Sequence, residues 1–198
     1  MNKINQSSQL KRKTGSEPFH NNGTKLSFSL LDFWQWYASD LLNNSTRGIL
    51  AEYLVTKAID SSDKPRKEWD TYDVLTKEGL KIEVKSASYI QSWDQKDFSK
   101  IAFNVRPTRA WDSILGKYST QYKRQADVYV FCVLHHQDQS TIDPTDLAQW
   151  SFYLITTNRL NETIGNQKSI RLKRLLEIGA SLTSYSKLKK DIQDLFSR

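Results

Sequence analysis

Apolar positions along the 198-residue chain switch between helical and strand periods, and the alternation outlines an α/β protein. From Leu31 to Leu42 the chain is dense in aromatics, with Phe33, Trp34, Trp36 and Tyr37, and the spacing predicts a helix packed on the domain body. Ile49, Leu50, Tyr53, Leu54 and Ala58 form the next stripe, predicting a helix capped by Ser45 or Thr46 and running to about Ile59. The polar stretch Asp60 to Lys67, with Pro65, reads as a loop. Runs with strand character follow at Trp69–Leu75, Leu80–Ala87, Ile101–Arg106, Val128–Leu134 and Phe152–Thr156. Between the third and fourth, Ala110, Trp111, Ile114, Leu115 and Tyr118 recur helically, which predicts a crossover helix within Pro107–Gln125. Val128–Leu134 is continuously apolar, as a central strand covered on both faces would be, with Cys132 a core residue. Asp143–Trp150 reads as a turn or short helix, and Leu172–Ile178 and Ser186–Phe196 as helices, the last with Leu188, Ile192 and Leu195 on one side. No repeat or linker interrupts residues 26–198, so one domain is expected there, behind a flexible basic arm over residues 1–25.

Composition narrows the classes of function. At 38% hydrophobic and 12% aromatic the chain has enough to bury that wholesale disorder is excluded. Its longest apolar run, Val128–Leu134, is far short of the roughly 18 residues of a membrane helix, and no secretion signal opens the sequence. A cytoplasmic protein with no membrane partner is expected. The single cysteine excludes an internal disulfide, a zinc ribbon and an iron–sulfur cluster, so a metal would have to sit on oxygen or histidine ligands. Only His20 could join His135 and His136, too few for a histidine cluster. A P-loop is absent, which speaks against nucleotide hydrolysis.

The net charge of +7 favours a polyanionic partner, nucleic acid before others, through release of phosphate counterions. Part of the excess lies in Lys3, Lys11, Arg12, Lys13 and Lys25, opposed in that stretch by Glu17 alone. Another part is Lys168, Arg171, Lys173 and Arg174, a cluster that either tracks a phosphate backbone or is a solvated face.

Candidate chemistry concentrates around Gly79. A three-residue loop, Lys77 to Gly79, closing on a left-handed glycine would join Trp69–Leu75 to Leu80–Ala87 as a hairpin. That loop pairs Thr76 with Leu80, and hence Asp73 with Glu83. Glu83 and Lys85 share a face because strand side chains alternate, whereas Asp70 would point the other way. Two carboxylates held together near apolar Ile82 and Val84 need a cation between them. Oxygen ligands favour Mg²⁺ or Mn²⁺, and Lys85 could position an attacking water or neutralise charge growing on a phosphoryl group. The plainer alternative is that Glu83 and Lys85 form a solvent-facing ion pair.

Tyr72-Asp73-Val74-Leu75, a short glycine turn, and Ile82-Glu83-Val84-Lys85-Ser86 resemble the signature of the PD-(D/E)XK nuclease, or restriction endonuclease-like, superfamily. Tyr72 stands where many members have proline. The resemblance spans about residues 45–134 and implies a three-layer α/β/α core, with a central mixed sheet of about five strands flanked by helices. It implies divalent-metal-dependent hydrolysis of DNA phosphodiesters, with Asp73 and Glu83 as metal ligands and the Val84 carbonyl as a further one. Lys85 would then assist the water. Glu52, in Arg47-Gly48-Ile49-Leu50-Ala51-Glu52, matches the helix glutamate of many members and would bind metal through water or hold a second ion, with Gly48 leaving room for approach. As an alternative Glu52 is a flanking salt-bridge residue. Arg47 and Ser86 are the weaker candidates for phosphate contact. A catalytically silent nucleic-acid-binding or assembly subunit of the same fold is the competing reading, RNA is the less favoured substrate, and a homodimer is expected if both DNA strands are cut.

Overall fold

The computed structural model describes residues 10–61, 65–66, 71–112 and 116–196. In chain order the elements are β1 (Pro18–Asn21), β2 (Thr24–Ser29), α1 (Leu30–Ala38), α2 (Asn44–Ala58), β3 (Val74–Leu75), β4 (Lys81–Ser88), β5 (Ala102–Asn104), β6 (Trp111–Asp112), β7 (Lys117–Tyr118) and β8 (Val128–Leu134). They continue with β9 (Trp150–Thr156), α3 (Thr157–Ile164), β10 (Ser169–Arg171), α4 (Leu172–Glu177), β11 (Ser181–Thr183) and α5 (Leu188–Phe196).

A five-stranded mixed sheet, ordered β11-β9-β8-β4-β3, forms the central layer. Only β4 and β8 run parallel, and they match residue for residue from Ile82–Val128 to Ser88–Leu134. Every residue of β8 is buried, as its unbroken apolar run requires of a strand covered on both faces. Alternation then divides the core. Ile82 and Val84 with Val128, Val130, Cys132 and Leu134 face α2 and α5, whose Ala51, Leu54, Val55, Leu188 and Ile192 complete that layer. Tyr129, Phe131 and Val133 face the other way, against Phe103 of β5, Leu160 of α3, Ile170 of β10 and Leu175 of α4. Helices on both faces of a mixed sheet make the three-layer α/β core that the sequence leads one to expect.

Several local expectations give way to tertiary context. The buried face of α2 is Arg47, Ala51, Leu54 and Val55, rotated from the expected stripe, so Ile49 and Tyr53 are exposed. Its cap is Asn43, whose side chain accepts from the Ser45 amide at 3.0 Å. Ile101–Arg106 does contain a strand, but β5 pairs with β10 outside the central sheet, and β11 supplies the fifth central strand. No crossover helix appears over the described part of Pro107–Gln125. Instead Thr108 bridges Lys123 and Trp111 of β6 pairs with Tyr118 of β7, with Gly116 at φ +62° near the turn. The apolar residues read there as a helical stripe are in part a cross-strand aromatic pair.

The aromatic helix α1 does not pack on the core. It buries none of its residues, and Trp36 is 82% exposed. Its contacts are with the β1–β2 hairpin, which replaces the later part of the expected flexible arm, and with Gly15, whose φ of +93° lets the chain turn close beneath the Trp34 ring. Ser29 caps this helix through a reciprocal bond with Asp32, at 2.6 Å from the Ser29 amide. No helix among the described residues is long and apolar enough to cross a membrane.

Candidate active site

The short edge strand β3 and the long strand β4 carry the charged cluster. Val74 pairs with Ile82 and Leu75 with Lys81, and the Thr76 amide donates to the Leu80 carbonyl at 2.9 Å across a loop that closes on Gly79 at φ +89°. This is the register expected from the glycine turn. It brings Asp73 beside β4 just past the last paired residue, where the Asp73 amide donates to the Ile82 carbonyl at 3.0 Å. Strand pairing ends there, which frees the Val84 amide to donate to Asp73 Oδ2 at 2.7 Å.

Asp73 and Glu83 line one cleft of about 240 Å³, together with Thr71 and Tyr129. Tyr129 reaches it because β4 and β8 pair Glu83 with Tyr129 directly. Burial raises the Asp73 carboxyl to about 7, and the charges of Glu83 and then Glu52 push the same way. The bond from Val84 and the charge of Lys85 oppose that shift without cancelling it. Lys85 Nζ is committed to Glu83 Oε1, 2.5 Å away, and both are partly buried. Glu52, on α2, is gripped by Arg66, whose Nε and Nη2 donate to its two carboxylate oxygens, the longer contact being 3.0 Å. The helix glutamate therefore reaches the cluster through its charge on Asp73 while serving as a salt-bridge residue.

A protein-family model, bacteriophage T4 endonuclease IV, matches residues 29–174, most of the chain and all four of these charged residues. The chain belongs to that family. No curated protein matches it. Membership in the endonuclease IV family makes a nuclease of the chain and leaves the PD-(D/E)XK superfamily as a separate question.

Within this family frame the chemistry of the donor set can be judged. Among the described residues no three His, Cys, Asp or Glu side chains form a closed metal cage. What exists is a pair of neighbouring carboxylates, of which half-buried Asp73 makes no ion pair among the described residues. That arrangement suits a hard cation that keeps most of its water and takes one or two protein oxygens, as Mg²⁺ and Mn²⁺ do. The Val84 peptide lies beside the pair through its amide. Gly48 has open space where a side chain would project, consistent with unobstructed approach along that side of α2. Asp70 lies outside the described residues.

Two weaker candidates are corrected. Arg47 is buried, and its guanidinium is spent on the Leu42 carbonyl at 2.7 Å, Gln91 Oε1 at 3.2 Å and Asn44 Oδ1 at 2.5 Å, so it braces the start of α2 and cannot reach a phosphate. Ser86 shares the parity of Ile82 and Val84, and its buried hydroxyl turns away from the face that Glu83 and Lys85 present. Lys168, just before β10, Arg171 at its end, and Lys173 and Arg174 on α4 are exposed, with Arg174 paired to Glu177 at 3.3 Å. The Lys168 carbonyl accepts from the Val105 amide at 2.9 Å, which sets this cluster beside Arg106. His135 and His136 bond to Ser151 and Thr141 at the end of β8.

The sequence reading missed the wall opposite the carboxylates. Arg106, Thr108, Arg109, Trp111, Tyr118 and Gln125 line the same cleft. The helical reading of Pro107–Gln125 had scattered them around a cylinder, although Arg-x-Trp at Arg109–Trp111 is a basic–aromatic signal that a strand reading would have kept on one side.

Proposed function

We propose that this chain is a divalent-metal-dependent nuclease that hydrolyses DNA phosphodiester bonds, and that its site is of the PD-(D/E)XK kind. One observation carries the reading. Asp73, just before β3, and Glu83 of β4 line one cleft, with Asp73 raised to about 7 by burial and by its neighbours' charge, and Lys85 follows Glu83 on the same face. A half-buried carboxylate in that state makes no ion pair among the described residues, and a divalent ion would supply its counter-charge. Asp73 and Glu83 would hold Mg²⁺ or Mn²⁺, with the Val84 carbonyl as a candidate third donor and Glu52 acting through water. When bound, such an ion polarises the scissile phosphate and lowers the pKa of the attacking water. Lys85, released from Glu83 as the ion takes over that carboxylate, would orient the water and offset charge developing on the phosphoryl oxygens. Tyr129 and the hydrophobic faces of β4 and β8 hold the pair rigidly and partly out of water. DNA is favoured as the substrate by the net charge of +7 and by membership in an endonuclease family, and cutting both strands would call for two copies of the chain.

One observation favours the competing reading of a catalytically silent nucleic-acid-binding subunit. Glu83 and Glu52 are each already neutralised by an internal cation, so the cluster can stand without metal. Cleavage of plasmid and single-stranded DNA in Mg²⁺, Mn²⁺ or EDTA, with wild type beside Lys85→Ala and Asp73→Ala, decides between them. Metal-dependent cutting that falls by a hundredfold or more in both variants is expected. Folded proteins that bind DNA alike, with no cutting by any of them, would establish the silent reading.

A further inference from the structure

We infer that the β6–β7 ribbon is the substrate-positioning wall of the site, with Trp111 and Tyr118 stacking on a nucleobase and Arg109 holding an adjoining phosphate. The inference rests on the nuclease reading above and names the residues that would present the strand to the carboxylates.

Trp111 and Tyr118 meet edge to face, with ring centroids 5.0 Å apart at 66°, and each remains about half exposed although both border the carboxylate cleft. Large exposed aromatics are costly to leave in water, and an edge-to-face pair leaves ring surface open to a third planar group. A nucleobase is such a group, and stacking on aromatic side chains tolerates any base because each has a π-face.

Arg109 is held in place before any ligand arrives. Its Nε donates to the Ser119 carbonyl at 2.5 Å, and its guanidinium carbon lies 5.7 Å from the Tyr118 ring centroid and 6.0 Å from that of Tyr122. Nη2 also lies 3.5 Å from the Tyr118 carbonyl, so the stacked guanidinium is tethered at two points and would offer its remaining donors to a phosphate with little rotamer freedom left to lose. Arg106 adds a second cation to the same wall and makes no ion pair among the described residues. Opposite stand Asp73 and Glu83, which repel a polyanion, so a strand can lie in this cleft only if cations on the facing side compensate. Base, phosphate and carboxylates thus have separate partners on the two walls. Among the described residues the ribbon supplies none to either core cluster, so packing in the core does not account for its aromatics.

The test separates binding from cutting. A short fluorescein-labelled single-stranded oligodeoxynucleotide carrying 2-aminopurine is titrated with wild type, Trp111→Ala, Trp111→Phe and Arg109→Gln, in EDTA and in Ca²⁺, with thermal melts alongside. Trp111→Ala is expected to weaken binding about tenfold and to lose the quenching of 2-aminopurine that stacking produces, while Trp111→Phe restores both. Arg109→Gln is expected to weaken binding about tenfold and to flatten its salt dependence while keeping the quench. In Mg²⁺, Trp111→Ala and Arg109→Gln should raise KM with kcat little changed, and Trp111→Phe should keep the wild-type KM. Equal affinities and equal quenching across the four proteins, or no binding by the wild type in either condition, would overturn the inference. A wild type that cuts DNA indifferently to Trp111 and Arg109 would sink the positioning wall and leave the nuclease standing. A wild type that binds through them without cutting would do the reverse.

Discussion

At the scale of single residues, the decisive feature is a carboxylate whose environment opposes its charge. Asp73 is raised from an ordinary 3.8 to about 7, first by burial and then by Glu83 and Glu52. An acid whose folded value lies above its unfolded one binds more protons when folded, so it favours the folded state at low pH and costs stability as pH rises through that window. In EDTA, wild type should therefore lose stability between about pH 4 and pH 7, and Asp73→Asn should remove that loss. Its melting temperature is expected above that of wild type at pH values higher than 7 and close to it near pH 4, and adding Mn²⁺ should close the gap from the wild-type side only. Melts over pH with and without metal check this, and a gap that Mn²⁺ leaves unchanged would remove Asp73 from the ligands.

At the scale of elements, the β3–β4 hairpin does the positioning. Its register depends on a loop that needs φ +89° at Gly79, where an added methyl group would meet open space. Gly79→Ala therefore strains the backbone without a clash, and should cost about 1–2 kcal/mol in denaturant titrations. Cleavage at a permissive temperature should fall only a few-fold, because the pairing of buried Val74 with Ile82 holds the register that brings Asp73 to Glu83. A complete loss of cleavage in a stable Gly79→Ala protein would mean that the turn alone sets the site. The supporting strand β8 has a larger part in stability. Phe131 is fully buried, 4.7 Å from Phe103 between centroids, and Phe131→Ala is expected to cost about 3–5 kcal/mol.

At the scale of the whole molecule, charge and exposed aromatic surface are distributed differently. The net charge of +7 predicts DNA affinity that falls linearly on a log–log plot against salt, with a slope of about −4 if roughly four phosphates are neutralised. Nitrocellulose filter binding between low and physiological salt measures that slope, and a flat line would mean that phosphates are not the partner. The α1 helix is a separate matter. Trp36 is 82% exposed on a helix that buries nothing, so Trp36→Ala should leave folding stability within about 0.5 kcal/mol of wild type in urea unfolding.

The sequence alone determined whatever depends on local geometry or on an unbroken pattern. The glycine turn indicated the register that pairs Val74 with Ile82 and Leu75 with Lys81, because turn type is matched to hairpin register, and the apolar run of β8 marked the sheet centre because only a strand covered on both faces can be apolar throughout. Helix α2 was legible in extent, but its buried face was not, since Arg47 is a charged residue that burial accepts only because three oxygens inside the protein receive its donors. Tertiary structure decided the rest. Periodicity in Pro107–Gln125 suits a helix as well as a ribbon, and only the bridges from Thr108 to Lys123 and from Trp111 to Tyr118 select the ribbon that places Arg109 and Trp111 before the carboxylates. Aromatic density in α1 suggested a core helix, whereas the two faces of the sheet are already covered without it. Local rules reach as far as a turn or a strand, and the cleft lies between segments that those rules cannot bring together.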